Sequence, residues 1–179
     1  MTVGQRSGRS DVGRGRRAAR VGMLVGLTIA LQLAPAMLPG AGLALSAFST
    51  LPIYILALGA PGEGLVGLAA AAAAVATIRP GGALLLAFMT GPIGLALGWT
   101  AHAGWRLHWR ILLATTAETA GLMALGGITG ALPFSRLLSS AGPRAEVAAA
   151  LGFSLIYSFL WAAVLDNAVA PLLRRLLPR

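Results

Sequence analysis

From Val21 onward the chain is a series of long apolar runs, interrupted by glycine, proline and arginine. A half-buried helix of a soluble domain would show charged positions recurring on one face. Here such positions are almost absent, and each run approaches the ~20 residues that cross a ~30 Å hydrocarbon core. Six spans are predicted, over about 21–39, 43–60, 64–78, 83–101, 111–132 and 147–172. The third is short and alanine-rich, and is the one most open to being tilted or partly buried. The expected fold is an all-α integral membrane protein, a bundle of six transmembrane helices filling residues 21–172. Residues 1–20, rich in glycine and arginine and without apolar periodicity, read as a disordered basic tail, and residues 173–179 as a second basic tail. A signal peptide is the competing reading of the N-terminus. Val21 to Leu38 would then be its apolar region and Ala41 to Ala44 its cleavage site, but the run is long for that role.

Composition agrees with the pattern. The 179 residues are 57% hydrophobic and 11% charged, more apolar than a soluble domain of this size could bury. There is no cysteine, which excludes disulfides and thiolate chemistry. All 14 basic residues are arginine, and their distribution carries a topology signal. With the N-terminus inside, Arg6, Arg9, Arg14, Arg16, Arg17, Arg20, Arg106, Arg110, Arg174, Arg175 and Arg179 fall on the inner side, and Arg79, Arg136 and Arg144 on the outer. This asymmetry predicts both termini cytoplasmic in a bacterial inner membrane. The net charge of +9 is thereby explained without nucleic acid, for which no basic folded domain exists.

Two carboxylates interrupt the apolar runs. Glu118 sits within "LLATTAETAGLMAL", about 8 residues or ~12 Å along its helix from Arg110, with Thr115 and Thr119 on or near its face. Asp166, followed by Asn167, lies about 8 residues or ~12 Å before Arg174, on a strip with Ser158 and Ala162. A charge at bilayer depth is costly and makes such residues functional candidates. The expected candidate site is therefore one shared polar locus of Glu118, Asp166, Thr115, Thr119 and Asn167, with Thr100 and Gln32 as further contributors. The competing reading is structural, with both acids bonded to neighbouring helices or reaching Arg106, Arg110 or Arg174.

Other motifs add less. His102 and His108 flank Trp105 and Arg106 in "AHAGWRLHWR", an interfacial belt of aromatic and basic anchors with too few ligands for a metal. No hydrolase, nucleotide-binding or metalloprotease pattern occurs, so neither catalysis nor a cofactor is expected. Small residues recur four apart at Gly22/Gly26, Ala30/Ala34, Gly94/Gly98, Ala117/Gly121 and Gly126/Gly130, a spacing that lets helices approach closely. Pro35, Pro52 and Pro92 mark expected kinks.

The stretch "STLPIYILALGAPGEGLVGLAAAAA", Ser49 to Ala73, followed by "FMTGPIGLALGW", Phe88 to Trp99, resembles the YybS-like family of bacterial membrane proteins. That family is similar in size and layout to the substrate-binding S components of energy-coupling factor vitamin transporters. The resemblance implies six helices, both termini inside, capture of a small solute from the outer side, and a transporter scaffold subunit with a coupling ATPase as partners. It also implies a docking face at the AxxxA stretch, here Ala30 and Ala34. Two other classes remain open. One is a non-transporting envelope scaffold of the MreD type, which would tolerate loss of both acids. The other is a small proton-coupled carrier acting alone through Glu118.

Overall fold

The computed structural model describes residues 7–38, 41–130 and 142–172, with side chains from residue 13 onward. Among the described residues every regular element is helical. The elements are α1 (Ser7–Met37), α2 (Ala41–Ala47), α3 (Thr50–Gly59), α4 (Pro61–Ile78), α5 (Pro80–Leu85), α6 (Gly91–His102), α7 (Leu107–Thr129) and α8 (Pro143–Val164). One π-helical turn, Leu86–Thr90, joins α5 to α6, and another, Leu165–Val169, extends α8. Together these elements give six helices long and apolar enough to cross a membrane.

All six spans begin earlier than the apolar pattern suggested, three of them at a proline. Pro61, Pro80 and Pro143 each occupy the first helical turn, where a missing N–H is no loss and the fixed φ already suits a helix. The N-terminal stretch expected to be a disordered tail is helical from Ser7, continuous with the first span. Its anchor is Glu63 in the first turn of α4, whose carboxylate accepts hydrogen bonds from Arg17 Nε and, at 2.6 Å, from Arg20 Nη2. Residues 1–6 and the C-terminal tail at 173–179 lie outside the described residues.

Many large apolar side chains turn outward, while small hydroxyl-bearing ones turn inward among the core residues. Leu65, Val66, Leu112, Leu155, Ile156, Phe159 and Leu160 are exposed, while Thr28, Ser49, Thr50, Thr100, Ser154 and Ser158 are buried. Such a surface suits lipid better than water and, with six helices long and apolar enough to cross a membrane, supports a multi-pass membrane protein. Trp99, Trp105 and Trp109 are exposed around the α6–α7 turn, next to Arg106.

The centre of the bundle is α3, which contributes to both apolar clusters. Ile53 and Leu56 pack with Leu24, Leu68, Val75 and Leu86. Tyr54 packs with Ile93, Leu97, Ala114, Trp161 and Leu165. α6 lies tight against α3: a Cβ on Gly94 would fall 2.7 Å from the Thr50 carbonyl oxygen, and one on Gly98 2.7 Å from that of Tyr54. By contrast, a Cβ on Gly22 or Gly26 would meet nothing. Of the small-residue pairs in the sequence, Gly94/Gly98 is a packing seam and Gly22/Gly26 is an open surface.

Prolines shape the interior. Each removes the N–H that would bond the carbonyl four residues earlier, and its ring crowds that carbonyl. Pro52 lies four residues after Phe48, where the second span breaks into α2 and α3. Pro92 lies four after Phe88, inside the first π turn, and Pro171 four after Asn167, inside the second. The breaks in the second and fourth spans meet. Thr50 Oγ1 donates to the Thr90 carbonyl at 3.2 Å, and Ser49 Oγ lies 3.1 Å from both Thr90 Oγ1 and Gln32 Oε1. Gln32 Nε2 donates to the Gly82 carbonyl at 2.8 Å. Within an apolar medium these side chains satisfy one another where the two breaks meet, and the Phe48 carbonyl accepts the Leu51 N–H at 3.0 Å.

The Phe88 carbonyl, without its usual donor, points at α7. A Cβ on Gly121 would collide with that oxygen, so only hydrogen fits there. Gly121→Ala is expected to lower stability by about 1–3 kcal/mol or more, as overpacking against immovable backbone does. Gly22→Ala, in open space, should stay within about 0.5 kcal/mol of the parent. Tryptophan-fluorescence melting of the detergent-solubilised protein measures both.

Candidate functional site

α7 and α8 pack side by side, and two polar contacts fix their register. Arg110 Nη1 donates to both carboxylate oxygens of Asp166, each at 2.9 Å. Two turns further along α7, Glu118 Oε2 lies 3.5 Å from Ser158 Oγ, two turns back along α8. The residue numbers rise on one helix as they fall on the other, so the helices are antiparallel. Asp166 and Glu118 are thus separated by about two turns, ~11 Å. The structure does not bring the two acids into one locus. Their depths looked equal because each lies eight residues from an arginine, but Arg110 is itself the partner of Asp166.

Glu118 is fully buried. It faces inward because it stands one turn before Gly121, whose contact with Phe88 fixes which side of α7 meets the bundle. Ser158, at the outer limit of hydrogen-bond distance, is the partner of Oε2, and Oε1 has none among the described residues. No described arginine forms an ion pair with it. Thr115, one turn earlier on the same face, is buried with its hydroxyl unpartnered, as is Ser154, one turn before Ser158 on α8. The Thr119 hydroxyl is buried and unpartnered too. Buried polar atoms are nearly always bonded, yet seven on this helix pair have no partner among the described residues: these four, together with Arg110 Nε and Nη2 and the Tyr157 hydroxyl.

The remaining candidates fall elsewhere. Asn167 is exposed and its side-chain amide donates to the Ala163 carbonyl at 2.9 Å. Thr100 is buried but bonds its own helix, donating to the Ala96 carbonyl at 2.6 Å. Gln32 belongs to the stitch between broken helices described above. His102 Nδ1 lies 2.9 Å from the Leu58 carbonyl at the end of α3, where it closes a helix terminus. On α1, Ala30 is exposed, whereas Ala34 is half-buried, with the backbone of α2 seated at Gly42 against its carbonyl.

Sequence reading missed Ser154 and the burial of Arg110, although its structural alternative had named Arg110 among the partners of the acids, and for Asp166 that pairing is present. Ser154 was accessible, since it extends the Ser158–Ala162 strip by one more interval of four. Arg110 was read as a boundary residue because it closes the loop run, yet only its helix position, one turn inside α7, buries it. Such an arginine buries its charge only against a carboxylate, and Asp166 supplies one.

The chain matches no family model, no curated protein and no solved structure. The fold and the site themselves define a polytopic helical membrane protein with a buried, incompletely bonded carboxylate between its last two spans.

Removing Asp166 leaves Arg110 buried without its counter-charge. Asp166→Ala is expected to cost about 1–3 kcal/mol, less than the ~3–5 kcal/mol of a fully buried pair because Asp166 keeps some exposure. Combining it with Arg110→Leu should restore most of the loss. A double-mutant cycle on thermal unfolding in detergent reads the coupling.

Proposed function

We propose that the protein is a transport-associated membrane subunit that binds a small solute at Glu118, similar in plan to an S component. The observation that carries this reading is the state of Glu118: fully buried, one carboxylate oxygen unpartnered, the other held only by a 3.5 Å contact. In the Gln32–Ser49–Thr90 stitch, by contrast, the polar side chains bond one another and a backbone carbonyl at 2.8 to 3.1 Å. Glu118, Thr115, Thr119 and Ser154 are treated differently. Together they present a carboxylate and three hydroxyls, a set suited to a solute that carries a positive charge or several hydrogen-bond donors.

In this reading the arginine-rich side is cytoplasmic, the protein lies in a bacterial inner membrane, and the exposed part of the α1 face at Ala30 meets a scaffold subunit coupled to an ATPase. A proton-coupled carrier acting alone rests on the same carboxylate, since an acid with no fixed counter-charge can exchange a proton or cation. An envelope scaffold would have no use for an unbonded carboxylate.

Tagged purification from native membranes in mild detergent, followed by mass spectrometry of co-purifying proteins and small molecules, tests the proposal. The expected result is an ATPase with its membrane scaffold, and a small solute present with the parent protein. Glu118→Gln should abolish the solute while leaving the folded peak on size exclusion unchanged. Replacing Ala30 by Leu should weaken partner recovery. Envelope-synthesis proteins in the eluate, together with an unaltered small-molecule profile in Glu118→Gln, would overturn the reading in favour of a scaffold. A solute without any partner would favour the lone carrier.

A further inference from the structure

The outer surface between the arginine-rich part of α1 and the N-terminal half of α4 forms an open groove of ≈ 910 Å³. Arg14, Arg17 and Glu63 border its polar end, and Val21, Gly22 and Val66 form its apolar length. A second, smaller concavity adjoins it, sharing Arg17, Ala60 and Glu63 and adding Arg16, Arg20 and Gly59. The combined surface therefore runs from a cluster of guanidinium groups into an apolar trough along two membrane spans.

The fold uses only part of this charge. The stretch before the trough carries Arg6, Arg9, Arg14, Arg16, Arg17 and Arg20, against Asp11 and, across the groove, Glu63. Glu63 engages two of these, Arg17 and Arg20. The ion pair holds the N-terminal turns of α1 against α4 and still leaves an excess of positive charge at the groove's mouth. Along the trough, Gly22 has open space where its Cβ would be, whereas Gly94, Gly98 and Gly121 face backbone atoms of neighbouring helices.

We propose that this groove is a binding site for an anionic glycerophospholipid, with the phosphate held by the arginines and one acyl chain lying along Val21, Gly22 and Val66. Arginine's planar fork matches phosphate oxygens, and basic pockets between membrane helices near the headgroup layer select anionic lipids. A second copy of the chain is a poorer occupant. In a shared membrane orientation it would set two arginine clusters of like sign side by side.

Native mass spectrometry of the full-length protein in detergent, with dioleoyl phosphatidylglycerol and dioleoyl phosphatidylcholine added in equal amounts, tests the site. The parent protein is expected to retain phosphatidylglycerol preferentially. Arg14→Gln with Arg16→Gln, which leaves the Glu63 clamp intact, should weaken that retention roughly tenfold, since each basic group near the headgroup contributes about a fivefold factor before screening. Gly22→Leu should block the trough and reduce retention without unfolding the protein. Gly152→Leu, a matched control in open space on α8, should change nothing. Equal retention of the two lipids, or retention that neither groove variant alters, would overturn the proposal. So would a parent dimer that Gly22→Leu converts to monomer at constant lipid content, which would assign the groove to a second copy.

Discussion

The packing of this protein depends on what becomes of backbone groups that proline sets free. In water a broken helix hydrogen-bonds to solvent; in hydrocarbon it must find partners within the chain or lose several kcal/mol per group. Pro52 and Pro92 break the second and fourth spans, and the two breaks lie against each other. Ser49, Thr50, Thr90 and Gln32 gather at that point, bonding one another and the Thr90 and Gly82 carbonyls, while the Phe48 carbonyl accepts the Leu51 N–H at 3.0 Å. The same displacement turns the Phe88 carbonyl toward α7, which can approach only because residue 121 is glycine. One deformation thus joins four spans, α1 through Gln32 and α7 through Gly121 among them.

The position of Glu118 follows from that arrangement. Gly121 must face the π turn, and a residue three positions earlier on a helix of 3.6 residues per turn shares its side. Placing the carboxylate inside therefore needs no interaction made by the carboxylate itself. A polar residue buried by its neighbours' packing need not be fully bonded, and Glu118 is not. The Arg110–Asp166 pair does the reverse: its two groups hold each other at 2.9 Å and lock α7 to α8 at the arginine-rich end. Between them the two contacts set both the register of the last two spans and the depth of the site.

The six spans were legible in the sequence because hydropathy over ~20 residues reports the solvent directly. Their starts were less so, since proline signals both the end of one helix and the first turn of the next, and Pro61, Pro80 and Pro143 are of the second kind. The helical course of residues 7–20 was hidden because its anchor, Glu63, lies more than 40 residues away and no local pattern announces it. Glu118 with Thr115 and Thr119 could be read from helical spacing alone. The placement of Asp166 could not, because depth was measured from the nearest arginine and Arg110 is part of the interior. The Gln32–Ser49–Thr90 stitch joins three spans, and only the tertiary meeting of two proline breaks brings its members together.

Small residues make the same point from another side. In a chain with 24 glycines, four-residue spacing arises by composition as well as by selection, and the pattern alone does not separate the two. Geometry does. Gly94, Gly98 and Gly121 touch backbone atoms of neighbouring helices, so a methyl group at any of them collides with something that cannot move. Gly22 and Gly26 touch nothing, and so have no role in packing this bundle. A smooth, unfilled strip on a lipid-facing helix gains nothing for the folded chain by itself, because lipid tails are as apolar as any side chain that could replace the glycine. Its value lies in what it admits, and with arginines gathered at one end of the strip, the complementary object is one with a negative head and an apolar tail.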